Sequence, residues 1–189
     1  MIPIEQQIER STRSLSGLGP LLMRLYLAPI MIQAGWNKIS NYDSTIAWFA
    51  EGLEIPFAEV LGPIAMATEF LGGILLLLGL AIRLITPPLM ITMLVAAVTV
   101  HWQNGWLAIA DASSWLANEQ VLQAAEKLDK AKYLLQEHGN YSWLTSSGNF
   151  VVLNNGIEFA ITYFVMLLSL FFTGGGRYFS IDHYRFLKR

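Results

Sequence analysis

The run ILLLLGLAI, from Ile74 to Ile82, constrains this chain most, because it offers no polar face at any periodicity. A helix of a soluble bundle needs polar side chains on its outward face. A helix in lipid needs about 20 mostly apolar residues and no wetted face. The run closes the segment PFAEVLGPIAMATEFLGGILLLLGL, and LGPLLMRLYLAPIMIQAGWNK, LITPPLMITMLVAAVTVHW and GIEFAITYFVMLLSLFF share its character. The chain therefore reads as all-α: an integral membrane four-helix bundle with a long extracytoplasmic 3–4 loop that contains an amphipathic helix. The spans fall at about 18–39, 56–80, 84–104 and 155–173, with the outer loop at about 105–153 and residues 1–189 forming a single membrane domain. A composition that is 54% hydrophobic and 14% charged agrees with lipid as part of the solvent. The first 15 residues are polar, with Ile4, Ile8 and Leu15 spaced for a short amphipathic helix. They do not resemble a cleaved leader, and the first span is expected to be retained.

Net charge is −2 with no basic block, so no nucleic-acid partner is expected. The absence of cysteine excludes disulfides, thiol catalysis, Cys-ligated zinc and iron–sulfur clusters. No metal site is read, and His138 and His183 fall on opposite sides, so they do not form a haem pair. Arg10, Arg13, Arg83, Arg177, Arg185, Lys188 and Arg189 gather on the face that holds both termini and the 2–3 turn, which predicts cytoplasmic termini. The 3–4 loop is too long to be structureless. Its stretch SSWLANEQVLQAAEKLDKAKYLLQEHG predicts one helix, capped by Ser113 or Ser114 and ended by Gly139. Val121, Leu122, Ala125, Leu128, Leu134 and Leu135 give that helix an apolar stripe, which suits either the bilayer surface or a cap on the bundle. Beyond it, residues 139–153 fit either a small hairpin or an irregular lid.

A charge near the centre of a span costs at least about 2.5–3.5 kcal/mol, so each is expected to be paired, inward-facing or interfacial. Arg24 and Lys38 lie fourteen residues apart and share a stripe with Met31 and Gly35. Glu69 falls near the middle of the second span, with Gly62, Met66 and Gly73 on its face. The expectation is two polar levels. Arg24 pairs with Glu69 around the middle, and Gln33, Asn37, Lys38, His101, Glu158 and Glu59 occupy the outer half, where Lys38 and His101 are at the right depth for Glu158. Each position has a structural reading beside the ligand-binding one: a register-fixing ion pair for Arg24 and Glu69, snorkelling for Lys38, and an interfacial hydrogen bond for His101. Trp36, Trp102, Trp106 and Trp143 suit an outer aromatic belt.

Arg24 followed by AGWNK, then TEFLGG, NNGIE and GGGRYFSID, resembles the DoxX family of small four-helix bacterial membrane proteins over roughly 18–104 and 154–183. The 3–4 loop is longer than that pattern, and Gly174, Gly175 and Gly176 stand where Gly-Pro-Gly is common. The resemblance implies a multi-pass protein of the bacterial inner membrane, a polar core of Arg24, Lys38, Glu69 and Glu158, and a structural role for Asp182. It also implies association with quinone-linked redox subunits, with quinone as the small molecule to consider. Three functions stay open: a redox-associated subunit passing electrons from a protein partner to membrane quinone, a non-enzymatic anchor or assembly partner, and a small-solute or proton pathway. Four helices are few for alternating access, so a homo-oligomer belongs with the last.

Overall fold

The computed structural model describes residues 15–186 together with Ile4 and Thr12, so the short helix expected over the first 15 residues lies largely outside the described residues. The chain divides into two compact units, one of residues 1–93 with 163–189 and the other of residues 94–162. Among the described residues no strand forms, and the β-structure is one isolated bridge.

The first unit begins with α1 (Leu18–Ser40), followed by the short α2 (Tyr42–Ala47), a π-helical turn at Trp48–Gly52 and α3 (Ala58–Leu78). The first turns of α4 (Ile82–Ala96), the later turns of α7 (Glu158–Thr173) and α8 (Ile181–Phe186) complete it. All four apolar helices contribute to one core, through Leu27, Ala28 and Met31 of α1, Leu76 of α3, Leu89 and Met93 of α4, and Leu167 and Leu170 of α7. Burial is distributed as lipid solvation requires. Leu22, Ile64, Leu84 and Ile91 are all more than half exposed, while Arg24, Glu69 and Thr86 are buried. Three helices, Leu18–Ser40, Ala58–Leu78 and the continuous Ile82–Asn104, are long and apolar enough to cross a bilayer; Glu158–Thr173 is apolar but shorter.

Two glycines set the register of α1 against α3. A Cβ on Gly35 would lie 2.5 Å from the Phe70 amide nitrogen, and one on Gly73 would lie 2.7 Å from that of Ile32. The backbones therefore touch where Gly35 meets Phe70 and where Gly73 meets Ile32, as small residues permit between membrane helices. Running antiparallel from those contacts, the pairing carries Lys38 toward Glu69 and Arg24 toward Gly79. The α3–α4 turn closes on Gly79, whose φ of +63° is left-handed, with Gly79 N–H donating to Leu76 O and Leu80 N–H to Leu75 O.

The second unit continues α4 through a π-helical turn at Ala97–His101 and a tight 3-10 turn at Trp102–Asn104. The predicted amphipathic helix forms as α5 (Glu119–His138), starting later than expected. Its cap is Asn118, whose side chain accepts from Val121 N–H, because Ser113 is held by Asp111 and Ser114 Oγ takes Leu116 N–H. Gly139 ends it as expected, donating to Leu135 O. Residues 139–153 settle as the short helix α6 (Tyr141–Leu144) and an extended stretch whose Leu153 bridges antiparallel to Ile109. The stretch makes no hairpin with itself, because its partner is the chain just after α4.

Candidate functional site

Arg24 does not pair with Glu69. It is wholly buried, and its Nε donates to Leu76 O (2.9 Å), Nη1 to Gly175 O (2.5 Å), and Nη2 to Phe179 O (2.8 Å) and Leu77 O (3.5 Å). The acceptors at 76 and 77 are among the last carbonyls of α3, where the helix end attracts cations, and Leu76 O is shared with Gly79 N–H. The register explains the correction, since Arg24 lies beside the end of α3 and not beside its middle. Asp182 supplies the nearby counter-charge. Its two carboxylate oxygens accept from Ala81 N–H (2.9 Å) and Ile82 N–H (3.0 Å), at the start of α4. Ser180, also buried, donates to Gly79 O. One turn between two helices is thus held by a cation at the carbonyl end of α3 and an anion at the amide end of α4. Both are complementary to the helix dipoles.

Glu69 instead takes Lys38, with Nζ 2.5 Å from Oε2. The carboxylate side chain is 7% exposed and that of the lysine 26%, so the pair sits at the edge of the α1–α3 contact. The flexible four-carbon stem lets a lysine near the end of α1 reach back to a carboxylate near the middle of α3. Elsewhere on the α1–α3 contact, the rings of Trp36 and Phe70 lie 5.9 Å apart at a 38° tilt. An ammonium carries three donors. With one given to Glu69, two are left for another acceptor.

In the second unit Glu158 and His101 are both engaged with backbone. Glu158 Oε2 accepts from Ala108 N–H (2.9 Å), and His101 Nδ1 lies 2.8 Å from Asn155 O. Glu158 and His101, expected at matching depth, do not pair with each other, because each takes a backbone partner within the second unit. The NNGIE segment is a clasp. Asn154, buried, donates to Asn104 O and Leu107 O, Asn155 adopts a left-handed φ of +59°, and backbone bonds run from Asn155, Gly156, Ile157 and Glu158 to Ala108, Leu107, Gly105 and Trp106. This clasp shortens the fourth span from the expected 155–173 to Glu158–Thr173.

Gln33 and Asn37 are exposed, roughly opposite the buried stripe of Arg24, Leu27, Met31 and Gly35, because two residues along a helix turn the side chain by about 200°. They do not join the Lys38–Glu69 pair. Glu59 is exposed in the first turn of α3. Thr92, Thr99 and Thr162 donate back to carbonyls of their own helices. Among the described residues no three His, Asp or Glu side chains gather as metal ligands. Sequence reasoning did not find Asn154 or Ser180. The Asn-Asn-Gly run signalled the first as turn chemistry. The second, a serine before a six-residue helix, carried no comparable signal.

Residues 19–102 match the DoxX family model. No curated protein and no solved structure matches the chain. The matched region carries Arg24, Lys38 and Glu69, and so contains both the α3-end clamp and the ion pair, whereas NNGIE and GGGRYFSID follow it. With the apolar spans and buried charges, that match over residues 19–102, a little under half of the chain, supports membership of the DoxX family of membrane proteins.

Proposed function

We propose that this protein is a redox-associated subunit of the bacterial inner membrane, with cytoplasmic termini, that presents a quinone headgroup to electrons supplied by a protein partner. The observation that carries the reading is the Lys38–Glu69 pair. Of the four charges expected in the polar core, Arg24 and Glu158 are held by backbone groups, whereas Lys38 and Glu69 face each other and keep donors and lone pairs in reserve. A quinone needs a donor at a carbonyl oxygen and a proton source on reduction. Lys38, the ammonium of the pair, offers both the donor and a proton, and the Glu69 carboxylate can pass on its replacement; Trp36 and Phe70, close in sequence to the pair, add rings suited to a flat headgroup. The pair's open edge, on helices that face lipid, suits a ligand that arrives from the bilayer. The quinone would be held by hydrogen bonds and ring contact alone, and the reducing equivalents would come from the partner.

A second reading, an assembly component without its own chemistry, is favoured by the outer loop. Trp115 is 90% exposed, and Leu122, Tyr133 and Leu134 of α5 also lie on the surface. Purification in mild detergent, followed by extraction and mass spectrometry, separates the two. Quinone retained near stoichiometry by the wild type and lost in a folded Glu69→Gln variant supports the redox reading. Equal retention in both, or a Glu69→Gln protein that no longer folds, removes it in favour of the assembly role.

A further inference from the structure

Away from the ion pair, the first unit has a cleft of about 500 Å³, lined by Arg83 and Leu84 of α4, Thr173 and the glycines 174–176 that follow α7, and His183 of α8. From its chemistry we infer that this cleft seats the phosphate headgroup of an anionic phospholipid from the leaflet on that side.

Arg83 is the principal donor. Its Nη2 gives one hydrogen bond to Phe172 O at 3.1 Å, which fixes the guanidinium over the cleft, and the remaining N–H groups of its five-donor fork stay open to a phosphate. A Cβ placed on Gly174 would come 3.7 Å from Arg83 Nε, so the glycine turn forms the floor directly beneath the cation. Gly174 and Gly176 both have left-handed φ, +72° and +73°, so the floor carries no side chains that would narrow it. His183 adds a second nitrogen-bearing side chain to the lining. The one carboxylate in the lining, Asp182, has both oxygens turned to Ala81 and Ile82 N–H, which reduces its repulsion of an anion.

The rim selects a lipid over a free ion. Leu84, in the lining, is 77% exposed, and Phe172, whose carbonyl holds Arg83, is 69% exposed. Polar floor and apolar rim meet within one or two residues, as an amphiphile with an anionic head and acyl tails requires. Basic pockets at the ends of membrane helices take lipid headgroups on this logic, and the volume is in the range of a small-molecule site.

The test is lipid retention by native mass spectrometry of the full chain, after equal exposure to phosphatidylglycerol and phosphatidylcholine. The wild type is expected to hold phosphatidylglycerol over phosphatidylcholine by about fivefold, the weight of one well-placed cation. Arg83→Gln should abolish that preference. His183→Gln, which leaves the Arg83–Phe172 bond in place, should reduce it even if Arg83→Gln folds poorly. Arg185→Gln removes the same charge from an exposed position outside the lining and should leave it intact. No preference in the wild type, or an equal loss with Arg185→Gln, overturns the assignment. Thermal protection by inorganic phosphate alone that equals the protection by phosphatidylglycerol overturns the lipid as the source.

Discussion

Two cations on one face of α1 meet opposite fates. Arg24 is enclosed by the carbonyl oxygens of Leu76, Leu77, Gly175 and Phe179, whereas Lys38, fourteen residues along the same stripe, keeps a quarter of its side chain exposed and faces a carboxylate. The difference lies in what the neighbouring helix offers at each level. The end of α3 presents carbonyls with accepting capacity to spare, which a planar fork of donors can satisfy together. The middle of α3 has its carbonyls tied into the helix, so a cation there needs a side-chain anion, and Glu69 is that anion. A charge in a membrane span is therefore weak evidence of function until its partners are known. The cation at a helix end is held by backbone, and the one opposed by an acid is held by a side chain.

The sharpest way to break the comparison is Arg24→Leu. Leu77 O, Gly175 O and Phe179 O would lose the Arg24 donor while Leu76 O keeps only Gly79 N–H, and the expected loss is about 3–5 kcal/mol, the scale of removing one member of a buried charged cluster. In practice the variant should fail to purify as a monodisperse species by size exclusion, and a melting temperature within a few degrees of wild type would refute the clamp.

A smaller effect is expected at the other cation. Lys38→Met and Glu69→Met singly should each cost about 1–3 kcal/mol, by stranding a partly buried group. The double variant should recover most of that loss, since replacing both partners by apolar side chains is often close to neutral. Thermal melts of the four proteins form a double-mutant cycle. A double variant as unstable as Arg24→Leu would place Lys38 and Glu69 with the architecture.

The smallest effect completes the series with a fully exposed charge. Asp111 lies in the loop after α4, and hydrogen bonds from the Ser113 hydroxyl (2.6 Å) and Ser113 N–H (2.9 Å) hold its carboxyl below the usual carboxylate range. A depressed native pKa contributes stability above the ordinary value, and that stability is lost as pH falls through the lowered one. Asp111→Asn should therefore leave the melting temperature at neutral pH nearly unchanged and slightly flatten its fall below about pH 4. An equal slope in both proteins would mean that the Ser113 bonds do not differ between folded and unfolded chain.

The helices were legible in the sequence because lipid allows so few alternatives, and so were the buried stripes. Arg24, Met31 and Gly35 on α1, and Gly62, Met66, Glu69 and Gly73 on α3, are buried as their spacing required. What the spacing could not supply was register. Depth along an ideal straight span put Arg24 level with Glu69, but the Gly35–Phe70 and Gly73–Ile32 contacts shift the helices so that Lys38 takes that place. Partners that are backbone atoms were equally hidden. A carboxylate at the head of a span reads as a side-chain partner for Lys or His, and nothing in NNGIE states that Glu158 will accept from Ala108 N–H, fifty residues earlier. The cap of α5 was missed for a local reason, because Asp111 competes for Ser113 and leaves Asn118 to start the helix.

The clamp around Arg24 also bears on how the chain is assembled during synthesis. Its acceptors become available in two instalments: Leu76 and Leu77 follow Arg24 by 52 and 53 residues, but Gly175 and Phe179 follow it by 151 and 155. While the third helix and the loop after it are being translated, the nascent hairpin of the first two spans holds a cation with only half of its final coordination. Commitment of that hairpin to its mature position is thus deferred to the last span. A chain stalled before that point would carry a guanidinium with half of its donors unsatisfied beside the second span.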